Sequence, residues 1–420
     1  MPTQIPIGSP LARKVFGAAL FATVQQQPGF MNLLSGPAPK QSDAEAKLKG
    51  QTSPDYPIVK ITDLTKGAGD LVSVDLFNIV QGKPVMGDKK IAGKMMSLTS
   101  STMEIRIDQY RGGVDSGGRM TQKRTVHNLR GIAMASLGGW ATRMEDQIGY
   151  VHLAGARGSQ NNADWIVPLA SDPDFASIMV NTVLAPTFNR HFYAGDATGL
   201  ANLDTADLLD LPTIDRLAAT MHESDVPLQP IRVKEDKYGW DDPVWLLLVT
   251  WRQWHYLQTR TGEKAWRTFL SNAYKRFEGS RHPLFFGDVG IWAGILVRPI
   301  KRIAVRFAAG EVVTVATNAD VFATTTATCA VDTDRALLVG AQAESKAYGI
   351  HGASDYHYSW HEERVDHDNA VETSVAGMGG CAKNRFLVLT GATQKTTDHG
   401  VAVVDSYAPD PNSAAGKALL

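Results

Sequence analysis

The residues with the richest chemistry in this chain lie between Asp355 and Asp368. The stretch carries His357, His361, Glu362, Glu363, Asp366, His367 and Asp368. On a β-strand, side chains two apart share a face, so His357, Ser359, His361 and Glu363 would line up. Two imidazoles and a carboxylate could hold zinc or another divalent ion. A metal-dependent hydrolase is the activity such a set would serve. Histidine also titrates near neutrality, so the same residues could form a pH-responsive contact. Spacing alone closes no ligand set, however, and dense charge equally describes a solvated strand edge or a subunit contact. An ordinary polar face is the simplest use, and no catalytic, cofactor-binding or metal-ligating residue is assigned.

Other candidates are thinner. The chain has no GxxxxGK[ST], no GxGxxG between a strand and a helix, no HExxH and no GxSxG. Ser116, in Gly113-Val114-Asp115-Ser116-Gly117-Gly118, sits in a glycine-rich hinge that would hold a nucleophile poorly. Trp251-Arg252-Gln253-Trp254-His255-Tyr256 could stack on bases. The apolar strand before it and the helix after it offer those rings a simpler place in a core. Arg298, Lys301, Arg302 and Arg306 could face nucleic acid or an acidic neighbour. Yet 42 basic residues nearly cancel 43 acidic ones, for a formal charge of -1, so the overall basic excess of a phosphate-gripping protein is missing. Cys329 and Cys381 belong to no CxxC, and two thiols cannot build a thiolate-only zinc site. They read as free thiols in a reducing compartment; a disulfide would need backbones within about 7 Å.

The elements that must position these residues are more informative. With 420 residues, two or more domains are expected, and 44% hydrophobic residues is a normal globular fraction. Met1-Pro2-Thr3-Gln4 does not open a signal peptide, and Leu11 to Val24 carries Arg13 and Lys14 and is too short to span a bilayer. Synthesis and folding in the cytoplasm, with no membrane partner, are expected. Leu71 to Ile79 and Met103 to Tyr110 alternate apolar and polar residues, the mark of strands with one wet face. Val80 to Ser101 between them is rich in Gly and Lys. Gly112, Gly113, Gly117 and Gly118 read as a hinge. Beyond it, Val126, Leu129, Ala133, Leu137, Trp140, Met144, Ile148 and Val151 recur at spacings of three and four. A helix of roughly 30 residues would be about 45 Å long. Gly138-Gly139 within it predicts a bend or a close backbone contact.

Residues 1 to about 60 are punctuated by prolines and read as an arm ordered by a neighbour, since Phe16, Leu20, Phe21, Phe30, Leu33 and Leu34 lack a local core. Gly155 to Leu211 is loop-rich. A helix is predicted from Pro212, with Ile214, Leu217, Ala218 and Met221 on one face. Val244 to Thr250 reads as a strand buried on both faces. Gly262 to Phe277 reads as a helix with Trp266, Phe269, Leu270, Ala273 and Phe277 inward. His282 to Pro299 reads as two strands or one bent strand. Short strands are predicted at Val312 to Ala316, Ala336 to Gly340, Tyr356 to His361, Phe386 to Thr390 and Val401 to Ser406. The fold class is α+β.

These pieces, taken together, resemble a known family. Gly69-Asp70 opens the first strand of the pair, and Gly117-Gly118-Arg119-Met120 leads into the helix. His282-Pro283-Leu284-Phe285-Phe286-Gly287-Asp288-Val289-Gly290-Ile291-Trp292 is followed by a strand to Pro299. Ala336-Leu337-Leu338-Val339-Gly340-Ala341-Gln342-Ala343 precedes Tyr348-Gly349. In order and spacing this resembles the major capsid proteins of tailed bacteriophages. The type member is the coat protein of the podovirus that infects enteric bacteria and carries a virion RNA polymerase. The resemblance implies an HK97-like fold: an N-terminal arm at 1–66, an extended loop at 67–112 and a peripheral domain at 113–209 with a spine helix within 120–153. It further implies a mostly axial domain at 210–380, with peripheral strands near 285–310, and peripheral strands plus a C-terminal tail at 381–420. The implied work is self-assembly into hexamers and pentamers that form an icosahedral shell around packaged double-stranded DNA, contacted non-specifically. Implied partners are a scaffolding protein, a portal at one vertex and a possible decoration protein; no cofactor is implied. Some relatives crosslink through lysine, and Lys83, Lys89, Lys90 and Lys94 lie in the loop. The alternative readings are a decoration or portal component, or the hydrolase.

Overall fold

The computed structural model describes residues 30–36, 52–61, 69–77, 83–92, 95, 100–125, 127–233, 236, 243–280, 282–285, 287–319, 321–349, 358–390 and 393–419. Its strands, in chain order, are Ile58–Ile61 (β1), Leu71–Phe77 (β2), Ser100–Arg106 (β3), Asp108–Gly118 (β4), His191–Tyr193 (β5) and Trp245–Val249 (β6). Next come Gly290–Trp292 (β7), Ile295–Pro299 (β8), Val305–Phe307 (β9), Val312–Ala316 (β10), Thr324–Thr328 (β11) and Thr333–Val339 (β12). The last six are Glu344–Tyr348 (β13), Tyr358–Val365 (β14), Ala370–Lys383 (β15), Arg385–Thr390 (β16), Thr393–Asp398 (β17) and Val401–Tyr407 (β18). The principal helices are Phe30–Leu33 (α1), Arg119–Arg124 (α2), Leu129–Ala154 (α3), Leu211–Glu223 (α4), Trp251–Arg260 (α5) and Glu263–Ser280 (α6).

A seven-stranded sheet, in the order β5-β18-β12-β6-β8-β7 with β9 also paired to β12, forms the largest core. Every residue of β6, β12 and β18 is buried, because both faces are covered. Leu247, Val249, Leu338 and Val404 point to one side, where Ile214, Leu217, Trp254, Leu257 and Phe269 of α4, α5 and α6 meet them. Leu246, Leu248, Leu337, Val339 and Val403 point to the other, against Tyr150 and Leu153 of α3. Each such aliphatic side chain contributes about 1.5–3 kcal/mol on burial. Local signals frame the helices: Asp210 caps α4 by accepting from Thr213 N at 2.9 Å, and Thr250 and Gln253 form a capping box on α5. Ala293 and Gly294, both at positive φ, make the two-residue turn between β7 and β8, so His282 to Pro299 contains a hairpin rather than one bent strand.

The second sheet has the order β1-β13-β15-β14, with β4 also paired to β15. Its centre is the 14-residue β15. β15 carries no clear strand pattern, because Gly377, Gly379 and Gly380 interrupt the alternation. Its glycines serve close approach: a Cβ on Gly380 would lie 2.1 Å from the Arg106 carbonyl oxygen. The hinge read at Gly112, Gly113, Gly117 and Gly118 is corrected by the same sheet. All four lie in β4, which pairs with β15 from Gly118↔Ala370 to Asp108↔Gly379 with one register shift between Ala370 and Glu372. A Cβ on Gly112 would meet the Trp140 ring at 2.6 Å, so this glycine admits the helix rather than a swing of the chain.

The long helix is α3, and it is 26 residues. The expected single helix is broken after α2: Thr125 is extended, and Asn128 starts α3 by accepting from Gly131 N at 3.3 Å. Leu137, with Ala141 of the same helix, packs against Tyr358, Trp360 and Val375 on the second sheet, and Met144 and Val151 are buried on the same stripe. Gly138 is buried and its carbonyl accepts the Thr142 hydroxyl, while a Cβ at Gly139 would meet nothing within 4 Å. A close contact on α3 lies at Gly149, where Met31 rests.

Two further expectations are corrected. The described parts of the N-terminal stretch do have a local core: Met31, Leu34, Tyr56, Ile58, Val59 and Ile61 are buried in this subunit, and β1 pairs with β13. The other residues of 1–60 lie outside the described ones. Leu270, read as inward, is exposed on α6, because Trp266, Phe269 and Ala273 already fill the side that meets the sheet.

Candidate assembly surfaces

The chemistry-bearing stretch resolves into a hairpin and its turn. On β14, Tyr358, Trp360 and Glu362 are buried, while His361 and Glu363 point outward. His361 Nε2 lies 3.8 Å from Glu363 Oε2, with both side chains more than half exposed. Asp366, His367 and Asp368 all have positive φ and build the turn into β15, where Asn369 N donates to the Asp366 carbonyl at 3.0 Å. Asp tolerates this left-handed backbone better than most residues. Glu362 turns inward to a bidentate pair with Arg130 of α3. His357 lies outside the described residues, and among the described residues no three His, Cys, Asp or Glu side chains gather to hold a metal.

The other candidates disperse as well. Arg306 is bidentate to the fully buried Asp334, and Arg298 donates to the Pro283 and Leu284 carbonyls. Only Lys301 and Arg302 of the four basic residues remain exposed, and Arg302 lies 3.6 Å from Asp164. Trp254 and Tyr256 are buried in the cores around α5, while Trp251 is 44% exposed. Cys329 and Cys381 are both buried free thiols. Ser116 sits within β4.

What the structure brings together instead is a set of buried charges that tie strands to helices. Glu145 of α3 accepts the hydroxyls of Tyr110 and Tyr358, both at 2.7 Å, and pairs with Lys346 of β13. Burial pushes the Glu145 carboxyl up, but Lys346 outweighs it and holds the group below its ordinary value. One side chain thus joins β4, β13 and β14 to the long helix. Arg335 of β12 forms two 2.7 Å bonds to Asp405 of β18, which also meets His191 of β5 at 2.7 Å. Burial raises the Asp405 carboxyl, and Arg335 and His191 together bring it well below the carboxylate range. Asp398 is shared by Lys383 and Arg385, at 3.0 and 2.6 Å. No local pattern signals these roles, since the partners come from different elements of the chain.

Large apolar side chains are exposed at several places, among them Met120, Tyr274, Val312, Val321 and the loop between β2 and β3. β2 and β3 pair from Leu71↔Arg106 to Phe77↔Ser100, and Val72 and Ile105 anchor their base on Val59, Ile61 and Ala347. The described loop residues beyond them expose Met86 (70%), Ile91 (60%) and Met95 (78%), with Lys83, Lys89 and Lys90 also exposed. Lys94 lies outside the described residues. A cavity of about 390 Å³ opens between α3, β4 and residues 166–180, lined by Trp140, Met144, Ile148, Ile178 and Met179.

Known proteins place this architecture. The family described as phage capsid protein matches residues 4–410. The chain belongs to that family. It is a phage capsid protein, a structural component of the virion, with an α+β fold related to HK97-like capsid structures. The capsid structure of Ralstonia phage GP4 is similar over 98% of this chain and 100% of its own, at 28% identity and a TM-score of 0.70. The major capsid protein of Pseudomonas phage KPP25 is 30% identical over 99 residues, which is 23% of this chain and 26% of that protein. The capsid protein thus aligns with about a quarter of the length of this curated relative. The Cyanophage Pam1 capsid asymmetric unit shares the fold at 18% identity and a TM-score of 0.56, covering 85% of this chain and 90% of its own.

Proposed function

We propose that this capsid protein builds the icosahedral shell around the phage DNA by self-assembly into hexamers and pentamers. The observation that carries this reading is the contrast between a closed core and an exposed loop anchored only at its base. The subunit folds on its own sheets, while the apolar side chains and lysines of residues 83–92 are left exposed among the described residues. Such a surface is costly on a monomer and useful where copies repeat around a closed symmetric ring.

In this reading residues 1–66 are the N-terminal arm, 67–112 the extended loop, and 113–209 the peripheral domain with α3 as its spine. Residues 210–380 are mostly the axial domain, with peripheral strands near 285–310, and 381–420 supply peripheral strands and a C-terminal tail. A scaffolding protein assists assembly, a portal occupies one vertex, a decoration protein is an optional addition, and DNA is met without sequence preference. The near-neutral net charge of -1 supports a shell that confines DNA rather than one that grips it.

Electron microscopy of purified particles, with the copy number per particle, tests the reading. The expected result is a closed shell containing hundreds of copies. A dodecameric ring would establish a portal, and binding only to a completed shell would establish a decoration protein; either overturns the proposal.

A further inference from the structure

We propose that Glu344 and Asp146 form a proton-operated latch that holds α1 and β1 on the body of the subunit. The two acids approach the same N-terminal segment from opposite sides. From α3, the Asp146 carboxylate accepts Phe30 N at 2.9 Å and Met31 N at 2.8 Å. From the second sheet, Glu344 is the register partner of Ile58, and its own N–H donates to the Pro57 carbonyl at 3.0 Å. The Met31 sulfur and the Glu344 Oε1 converge on Gly149, at 2.5 and 3.0 Å from where a Cβ would sit. A side chain at 149 would push them apart. Met31 therefore lies over the Glu344 carboxyl, which is fully buried.

The chemistry of that burial is unusual. Neither Glu344 oxygen has a hydrogen-bond partner in good geometry among the described residues. The Cys381 thiol beside it is only a weak donor. The charged and titratable groups around it are Lys60 on β1, Glu145 and Asp146 on α3, Lys346 on its own strand, and Cys381 and Lys383 on β15. The cations nearby are engaged elsewhere: Lys346 with Glu145, Lys383 with Asp398, and Lys60 with Asn32 at 3.0 Å. A buried carboxylate without a partner is costly, so the docked segment favours the protonated acid. Burial accordingly pushes the unpartnered Glu344 up to about 7, and burial also raises Asp146 to about 6 against the Met31 and Phe30 N–H groups, which lower it.

Both groups are raised in the docked state relative to a released, hydrated one. The stability they lend to docking is fully present below the ordinary carboxylate values. It is lost as pH rises toward and through about 7, where Glu344 ionises under Met31. Docking of α1 and β1 thus weakens from acid to mildly alkaline pH. The latch is a property of the single subunit and does not depend on the assembly geometry proposed above.

Hydrogen exchange on full-length released subunits tests it, read as protection factors at the amides of Met31, Leu34 and Ile58 from about pH 5 to about pH 8. In the wild type, protection should fall with pH, by at most about tenfold per unit for each proton involved. Glu344→Gln keeps the shape and removes the charge, and should flatten most of that fall. Should Glu344→Gln not yield folded protein, Glu344→Leu must flatten it instead. A flat wild-type profile overturns the latch, and so does a variant profile that still falls as the wild type does.

Discussion

No residue of the 11-residue β4 is buried, whereas in β6, β12 and β18 every residue is. These strands belong to the two large sheets of one subunit, and the difference is in what covers them. The seven-stranded sheet is closed by helices on one face and by α3 and its neighbours on the other. It has little left to offer a partner. The five-stranded sheet lays one face on α3 and leaves His361, Glu363, Glu372 and Asp115 on the outside. It is held by glycines that permit close approach and by buried charges such as Glu145, rather than by a continuous apolar layer. One sheet stores stability, and the other spends some of it on keeping surfaces open for other copies.

Leu137→Asp should break the contrast most completely. Leu137 is where the half-covered sheet borrows an apolar core from α3, so a carboxylate there should leave no folded, soluble subunit. Arg143→Asp, on the exposed side of the same helix, should fold. Circular dichroism and sizing separate the two, and a folded Leu137→Asp would mean that this seam does not carry the sheet.

A smaller but still large effect is expected in the closed sheet. Arg335→Met leaves Asp405 buried with only His191 for a partner, which should cost about 3–5 kcal/mol in denaturant unfolding. A loss under 1 kcal/mol would show that His191 alone neutralises Asp405.

Two glycine substitutions sharpen the comparison at the junction of β4 and α3. Gly112→Ala drives a methyl into the Trp140 ring and should destabilise by about 1–3 kcal/mol. Gly139→Ala meets nothing within 4 Å and should stabilise the helix by about 0.5–1 kcal/mol. Thermal unfolding of the pair reads both signs, and equal effects would contradict the packing described for Gly112.

The least effect on folding is expected at the projecting loop. Lys89→Glu with Lys90→Glu should leave subunit unfolding unchanged and weaken assembly. Each exposed contact is worth only about 0.2–1 kcal/mol but is repeated around every capsomer. Light scattering across a salt series measures this, and normal assembly at low salt would assign these lysines to solvated surface.

The parts legible in the sequence were those governed by local periodicity. Val244 to Thr250 was readable as a doubly buried strand because burial on both faces removes all polar residues from a short run. The stripe through Leu137 and Met144 was readable because a helix face repeats every three to four residues. Pro212 marked a helix start for the local reason that proline suits the first helical position. β15 was not readable, since its glycines answer to Arg106 and Tyr110 rather than to any neighbour in the chain. The same holds for Gly112, whose permissive backbone reads as a hinge until Trp140 is placed against it. His361, Glu363 and the acids after them looked like ligands because composition cannot tell a metal site from a polar strand edge and its turn.

The sequence by itself determined the α+β class, the family resemblance, the paired strands before a long helix, and the apolar sheet at the centre. All of these follow from side-chain patterns within a few turns or strands of one another. Only the tertiary structure decided that Glu145 clamps three strands, that Arg335 and Asp405 neutralise each other, and that Glu344 is sealed beneath Met31. The reason is physical: the cost of a buried charge depends on which distant groups surround it, and that neighbourhood exists only once the chain has folded.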